Sequence, residues 1–278
     1  MSYNDIIVYV DGTEASKARV AFAVALAKAH KAYLVGVAFA PKALLPLYGA
    51  DVGLADMSGV LQGVKAQGEA ALASFKDSAA KAGVKAEERL MQGMSEEFPH
   101  DFAAYARQVD LTILGQPRDG DPLIGQYALV ERCLFASGRP VMIVPAAPTD
   151  IALDGTIVAA WDGSAEAARA FNDALTFLKP AKRVVLLVAV LDGADDDAEP
   201  PTDDMVAHLT RHGVKVEVAR VVAGEGGIGR LLLSQAKDLK ADMIVMGAFH
   251  HSRWREFILG GVTLTMLEEA TLPLFMAH

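Results

Sequence analysis

The chain contains the same pattern twice, and this internal repeat limits the possible fold more than any other feature. The segment IIVYVDGTEASKARVAFAVALAKAH, which begins at Ile6, is an apolar run followed by an acid, a turn and a helical pattern. The segment TIVAAWDGSAEAARAFNDALTFL repeats this order from Thr156. Further along each half, DLTILG (110–115) matches DMIVMG (242–247). Self-similarity of this length indicates two copies of one folding unit.

The boundary between the copies lies between Ala146 and Asp154, where Pro148 and nearby acids are typical of a linker. A length of 278 residues also suits two domains of ordinary size better than one. We therefore predict an N-terminal domain over residues 1–147 and a C-terminal domain over residues 154–278.

Each copy alternates apolar runs with helical patterns, and the runs are too continuous for strands that have one face in water. VVLLVAVL (184–191), for example, has no polar residue. Strands of this kind are buried on both faces of a mainly parallel sheet that helices cover. The sequence therefore predicts an α/β fold in which each copy is an open five-stranded parallel sheet between helices. In the second copy the strands are predicted near 156–161, 183–191, 215–223, 243–247 and 272–277.

The composition excludes several classes of function. The formal net charge of −9 argues against a general nucleic-acid or anionic-membrane binder, because basic surfaces bind phosphate groups. The lone Cys133 cannot form an internal disulfide, which suits a reducing compartment. The N-terminus MSYNDIIVYV has neither the basic residues nor the long apolar run of a signal peptide, and no apolar stretch is long enough to span a bilayer. These observations predict a soluble, cytoplasmic protein.

Dedicated catalysis is not predicted, because the chain has no Ser-His-Asp ordering, nucleophile elbow or Walker loop. GEGGIG (224–229) matches the dinucleotide-binding pattern, but a dinucleotide enzyme would carry it after the first strand of its fold, so a helix cap is favoured. His208 and His212 have the i, i+4 spacing of a zinc pair. Without a third ligand, two exposed histidines are the favoured interpretation.

The pattern that indicates a ligand follows the fourth strand of the second copy. Gly247 is followed by two residues, His250, nine further residues and Gly260-Gly261, which open a predicted helix. Glycines let the backbone approach a phosphate, and the free N–H groups of a helix start favour an anion. Ligands of open parallel sheets bind beyond the carboxyl ends of the strands, where the strand order reverses. Asp162, directly after the first strand of the same copy, would then lie across from this helix start.

On these residues the sequence resembles the tandem universal stress proteins, over nearly the whole of both halves. Nucleotide-binding members of that family carry an acid after the first strand, and glycines with the spacing above followed by serine or threonine. The resemblance implies a stress-response protein that binds ATP or a related adenine nucleotide with Mg²⁺ in its C-terminal domain, as a sensor or regulator with little or no hydrolysis. It also implies that the last strands, VMIVP (141–145) and LPLFMA (272–277), pair as an internal pseudo-dimer. A homodimer and any protein partner are left open.

The resemblance implies a set of nucleotide-binding residues in the second copy. Asp162 would hold a ribose hydroxyl, or a Mg²⁺ ion that arrives with the nucleotide, and the adenine would lie near Ala160 and Val190. No metal site is implied from the protein alone. The complete set is Ala160, Trp161, Asp162, Gly163, Ser164, Val190, Met246, Gly247, His250, Arg253, Gly260, Gly261, Val262 and Thr263.

Several of these residues have a second interpretation. His250 replaces the second glycine of the family, and its side chain either obstructs the phosphate path or donates to it. Gly261 replaces the hydroxyl residue, although Thr263 can supply another hydroxyl. Trp161 either stacks on a base or fills the crevice, and Asp162 is equally well explained as a helix cap. The alternative functions are therefore an interaction scaffold that has lost nucleotide binding and, more weakly, a slow ATP or phosphoester hydrolase.

The first copy keeps less of the pattern. Asp11-Gly12-Thr13 follows its first strand and Gly115 its fourth, but Arg118 stands in place of the second glycine. The next helix also opens without paired glycines. We therefore predict a degenerate site that is structural or takes a ligand smaller than ATP. Arg118 could bind a carboxylate or phosphate, although pairing with nearby acids is favoured.

Overall fold

The chain divides into two compact units. The computed structural model describes residues 3–43, 54–118, 125–146, 152–191, 200–224, 226–248 and 261–278. One unit is formed mainly by Tyr3–Arg139, and the other by Pro140–Pro145 together with Thr149–His278. Along the described ranges, none of the helices combines the length and the apolarity that crossing a membrane requires.

The N-terminal unit is a parallel sheet with helices between its strands. Its elements are β1 (Asp5–Tyr9), α1 (Glu14–His30), β2 (Tyr33–Ala43), α2 (Leu54–Ala82), β3 (Ala86–Met94), α3 (Phe98–Ala106), β4 (Leu111–Gly115) and α4 (Gln126–Ala136). The strand order is β3-β2-β1-β4, with parallel pairing between β1 and both of its neighbours and between β2 and β3. The chain moves outward from β1 to β3 and then returns to the other side of β1. The order therefore reverses between β1 and β4, which is where a ligand crevice is expected.

The C-terminal unit repeats this arrangement and takes in one further strand. Its elements are β5 (Val141–Val144), β6 (Thr156–Trp161), α5 (Ala165–Asp173), α6 (Leu175–Leu178), β7 (Arg183–Leu191), α7 (Asp203–Arg211), β8 (Val216–Ala223), α8 (Gly227–Asp238), β9 (Met243–Gly247), α9 (Gly261–Glu269) and β10 (Leu274–Ala277). The order is β5-β10-β9-β6-β7-β8, in which β5 is antiparallel to β10 and the pairs from β10 to β8 are parallel. The reversal lies between β6 and β9.

The predicted fold is confirmed. Each copy contributes five strands, β1–β5 and β6–β10, and the strands of the second copy begin and end within about two residues of their predicted bounds. The last strands of the two copies pair with each other, with Leu274 opposite Ile143 and Met276 opposite Val141. This is the pseudo-dimer pairing that the resemblance implies.

A repeated aspartate holds the start of the first strand in each unit. The Oδ2 atom of Asp110, at the head of DLTILG, accepts hydrogen bonds from the backbone N–H of Asn4 at 2.7 Å and of Asp5 at 3.1 Å. The Oδ2 atom of Asp242, at the head of DMIVMG, accepts from the Thr156 N–H at 2.7 Å. These carboxylates supply acceptors to backbone donors where the strand begins. The repeated acid therefore has a structural role in both units.

Removal of the Asp242 carboxylate should destabilise the C-terminal unit. We expect Asp242→Ala to lower the free energy of unfolding by about 1–2 kcal/mol, because the Thr156 N–H loses a charged acceptor. Asp238→Ala, which removes an exposed acid from the end of α8, should change it by less than about 0.5 kcal/mol. Urea unfolding measures both variants, and equal stability of the two would contradict the role given to Asp242.

Candidate functional site

A cavity of about 220 Å³ lies at the carboxyl ends of β6 and β9, where the strand order of the C-terminal unit reverses. Eight residues of the predicted set line it: Ala160, Trp161, Asp162, Met246, Gly247, Gly261, Val262 and Thr263. The structure thus brings together the turn after β6, the end of β9 and the start of α9. These three segments are far apart in the sequence, and the reversal of strand order makes them neighbours.

Other predicted residues lie elsewhere. Gly163 and Ser164 belong to the turn beside the cavity and are not among its lining residues. Val190 follows Ala189 on β7, and since consecutive strand residues point to opposite faces, Ala189 lines the cavity in its place. His250, Arg253 and Gly260 lie outside the described residues.

Four apolar lining residues were missed by the reasoning from sequence: Leu187, Ala189, Ile228 and Leu232. The first two lie on one face of β7, and the last two lie on α8. Strand alternation along β7 and the apolar face of α8 are the signals that could have identified them. They give the cavity an apolar side opposite its polar turn.

The turn after β6 is built from its own hydrogen bonds. Asp162 Oδ1 accepts from the Ser164 N–H at 3.0 Å, and Ser164 Oγ accepts from the Ala167 N–H at 3.1 Å, which makes Ser164 the N-cap of α5. Gly163 has a φ of +78°, and a Cβ there would lie 2.9 Å from the Pro200 Cβ, so only glycine suits the position. Asp162 is exposed. Within the described ranges, no hydrogen bond engages its second carboxylate oxygen, Oδ2.

Trp161 is part of the core of the C-terminal unit. Its side chain is 7% exposed, and its indole Nε1–H donates to the Pro201 carbonyl at 3.2 Å. The ring is tilted against Phe171, with 5.6 Å between the ring centroids. An indole fixed at its polar edge and packed on a buried ring favours the interpretation that Trp161 fills the crevice.

The glycines of the predicted motif differ in what they contact. A Cβ at Gly247 would lie 2.6 Å from the Ala167 nitrogen and 2.8 Å from the Glu166 carbonyl carbon, so the first turn of α5 requires glycine at this position. A Cβ at Gly261 would meet nothing within 4 Å in the described chain. Packing therefore explains why position 247 is a glycine, whereas no described neighbour requires a glycine at position 261. Thr263, two residues further along α9, is fully buried.

In the N-terminal unit an arginine engages the corresponding acid. The Nη2 atom of Arg19 lies 2.7 Å from Asp11 Oδ2, and its Nε–H donates to the Tyr9 carbonyl at 2.6 Å. Asp11 Oδ1 accepts from the N–H of Thr13 at 2.8 Å and from the Thr13 hydroxyl. Arg19 is 4% exposed, so the guanidinium is buried in this contact. Both oxygens of Asp11 are therefore occupied by the chain itself.

The same arginine fills the space beside the glycine at the end of β4. A Cβ at Gly115 would lie 2.2 Å from Arg19 Nη1. In the repeat, Arg19 corresponds to Ala170, which is fully buried in the C-terminal unit. Reasoning from sequence missed Arg19. Its signal is a charged residue among the buried positions of α1, next to Val20.

Four of the five residues predicted for the first-copy site, Asp11, Gly12, Thr13 and Arg118, line one cleft of the N-terminal unit, and Gly115 is not among its lining residues. The Arg118 backbone N–H donates to Gln126 Oε1 at 3.0 Å.

Two other sequence motifs have structural explanations. Gly226 of GEGGIG is the N-cap residue of α8, and Gly227, the first residue of the helix, has a φ of +76°, which favours glycine. His208 Nε2 lies 3.2 Å from Asn172 Oδ1, and the rings of His208 and His212 are 4.6 Å apart. Across the described ranges, no group of three or more His, Cys, Asp or Glu side chains could hold a metal ion.

The Asp11–Arg19 pair should make stability depend on acid pH. Burial alone would raise the pKa of Asp11, but the charge of Arg19 and the hydrogen bonds from Thr13 outweigh it, so the pKa lies below its ordinary value of 3.8. A carboxyl with a lowered pKa in the folded state contributes stability that is complete above the unfolded pKa and is lost as pH falls through the folded one. We therefore expect the contribution of Asp11 to decline progressively as the pH falls below about 4.

Asp11→Asn measures this contribution. We expect the variant to lower the free energy of unfolding by about 2–4 kcal/mol at neutral pH, because Arg19 stays buried without its counter-charge. The difference between variant and parent should shrink toward about pH 3. Urea unfolding at both pH values tests this, and a difference that does not change with pH would refute the assignment.

Gly247→Ala should destabilise the fold through overpacking. The added methyl group would press on the α5 backbone at Ala167 and Glu166, so we expect a loss of about 1–3 kcal/mol in the free energy of unfolding. Gly224→Ala is the matched control, because a Cβ there meets nothing within 4 Å. Chemical denaturation of both variants decides the point, and the explanation from packing fails if Gly247→Ala is as stable as the control.

Comparison with known proteins identifies the fold of the chain and the family of its C-terminal part. The family model described as "Universal stress protein family" matches residues 155–278. The crystal structure of a universal stress protein from Archaeoglobus fulgidus DSM 4304 covers 99% of this chain and 98% of that chain, with a TM-score of 0.74 at 17% identity. A functionally unknown protein from Pseudomonas aeruginosa PAO1 covers 99% of this chain and 92% of that chain, with a TM-score of 0.60 at 13% identity.

A universal stress protein in complex with cAMP aligns with 53% of this chain and 100% of that chain, at 23% identity and a TM-score of 0.36. No curated protein matches the sequence significantly. The full-length structural matches show the fold over both units, and the family model matches the C-terminal part. The resemblance predicted from the sequence is therefore confirmed for the C-terminal part, because residues 155–278 match the universal stress protein family.

Proposed function

We propose that the C-terminal unit binds an adenine nucleotide and that the protein acts in the stress response as a nucleotide-dependent sensor or regulator. The observation that supports this most is the state of Asp162. Asp162 lines the cavity, and no hydrogen bond from the described chain engages its Oδ2 atom. The matching Asp11 of the N-terminal unit has both oxygens occupied by Arg19 and Thr13.

Each side of the cavity suits a different part of a nucleotide. The helix α9 begins at Gly261, and the N–H groups of a helix start lie at its positive dipole end, so those of Gly261 and Val262 would take a phosphate. Asp162 Oδ2 would accept a ribose hydroxyl. The apolar side formed by Leu187 and Ala189 would contact the base.

Magnesium would arrive with the nucleotide. Among the described residues no cluster of acids or histidines forms a metal site, and Asp162 is the one acidic residue among the described lining residues of the cavity. Mg²⁺ is commonly bound by one or two carboxylates together with substrate phosphates. The protein would therefore bind the Mg²⁺ complex of the nucleotide and not the free ion.

The size of the cavity favours a second candidate, an interaction scaffold that has lost nucleotide binding. A volume of about 220 Å³ is below the roughly 300–1,000 Å³ of typical ligand pockets. Trp161 fills part of the crevice. His250→Gly separates the two candidates, because it restores the glycine of the family motif. The scaffold hypothesis predicts that the parent protein does not bind ATP and that the His250→Gly variant does.

Mg-ATP should raise the thermal midpoint of unfolding of the parent protein. A ligand that binds only the folded state stabilises it by several kcal/mol at concentrations well above its Kd, which corresponds to a shift of several degrees. Asp162→Asn should weaken binding roughly tenfold, because a charged acceptor becomes neutral. Asp238→Asn, at an exposed position on α8, should leave the affinity unchanged.

Thermal scans over a series of Mg-ATP concentrations, combined with equilibrium dialysis, give the affinities of the parent protein and of the Asp162→Asn, Asp238→Asn and His250→Gly variants. An absent shift up to millimolar nucleotide rejects the proposal in favour of the scaffold. Weaker binding by His250→Gly than by the parent would instead reject the scaffold. Equal affinities for Asp162→Asn and the parent would show that the nucleotide does not bind at the Asp162 turn.

A further inference from the structure

A pair of histidines lies at the end of α7 in the C-terminal unit. His208 belongs to the last turn of this helix, and His212 is its C-cap residue. Their ring centroids are 4.6 Å apart, and the rings meet edge to face at 62°. Imidazoles with this i, i+4 spacing bind transition-metal ions on helices, provided that a further donor lies within reach.

An amide oxygen from another helix is the third donor. The Oδ1 atom of Asn172, near the end of α5, lies 3.2 Å from His208 Nε2. The orientation of this amide is fixed, because its Nδ2 atom donates to the Ala168 carbonyl at 2.9 Å and leaves Oδ1 for the histidine. His208 and Asn172 are 36 residues apart in the sequence, so no local spacing predicts their contact.

The distances between these donors suit a single divalent ion. Two ligand atoms held about 2.1 Å from one ion, at angles of about 90–109°, lie roughly 3.0–3.4 Å apart. The distance of 3.2 Å between His208 Nε2 and Asn172 Oδ1 falls within this range. The centres of two imidazole rings on one ion are then roughly 4.5–5.2 Å apart, which includes the observed 4.6 Å.

The chemistry of the three donors determines which ions they can bind. The amide oxygen only accepts, so the proton between it and His208 is carried by Nε2, and a bound ion replaces that proton. His212 is exposed, so its ring can rotate toward the ion while water completes the coordination shell. Imidazole nitrogens favour Ni²⁺, Cu²⁺ and Zn²⁺, whereas Mg²⁺ and Ca²⁺ prefer oxygen ligands.

We propose that His208, His212 and Asn172 form a surface site for a divalent transition-metal ion of the Ni²⁺, Cu²⁺ or Zn²⁺ class. The ion connects the end of α5 to the end of α7. The site is separate from the proposed nucleotide site, because Asn172 lies about 12 Å along α5 from its N-cap Ser164, at a rise of about 1.5 Å per residue. The proposal therefore does not depend on nucleotide binding.

Calorimetric titration of the full chain with Zn²⁺ and with Ni²⁺, after treatment with a chelator and without nucleotide, tests the proposal. We expect saturable binding that His208→Ala and His212→Ala each weaken at least about tenfold, because a nitrogen ligand is lost. Asn172→Ala should weaken it about threefold, because an amide oxygen is the weaker ligand for these ions. His100→Ala, at an exposed position of α3, is the matched control and should leave the affinity unchanged.

Chemical modification locates the ion among the seven histidines of the chain. Diethyl pyrocarbonate modifies accessible imidazole nitrogens, and peptide mass spectrometry with and without saturating Zn²⁺ identifies the protected rings. We expect protection of His208 and His212 and none of His100. The proposal would be overturned by the absence of saturable binding, by full affinity in the His208→Ala, His212→Ala or Asn172→Ala variant, or by protection confined to other histidines.

Discussion

The burial of strands on both faces determines most of this structure. Ile6 and Ile7 are consecutive on β1 and point to opposite faces, yet both are fully buried. Such strands need helices on both sides of the sheet, and the chain covers both sides only by moving outward from its first strand and then returning past it. That return reverses the strand order beside β1 and beside β6. A crevice is expected at the carboxyl ends of the strands beside each reversal, and eight candidate residues of the C-terminal unit line the cavity found there.

The two crevices have the same origin but different chemistry. In the N-terminal unit Arg19 neutralises the acid after β1 and fills the space beside Gly115. In the C-terminal unit the corresponding position is Ala170, and the α5 backbone packs against Gly247 instead. One substitution in the repeat thus separates an acid with a structural role from an acid that is available to a ligand. Duplication of a unit permits this division, because each copy can change without the other.

The sequence was sufficient to predict the repeat, the strands and the pairing of β5 with β10, because apolar periodicity and strand order follow from local composition and general chain-crossing rules. It also indicated most of the residues that line the C-terminal cavity. It did not indicate Arg19, since a helical arginine is usually exposed and its burial depends on where β1 places Asp11.

The central claim is that the first unit has an occupied acid and the second an available one. Hydrogen–deuterium exchange of the whole chain, with and without Mg-ATP, tests it directly, since a bound phosphate protects the amides that contact it. Our account predicts added protection at Gly261–Thr263 and at Asp162–Ser164, with none at Asp11–Thr13. Protection that appears at the N-terminal turn instead, or at neither turn under saturating nucleotide, would contradict it.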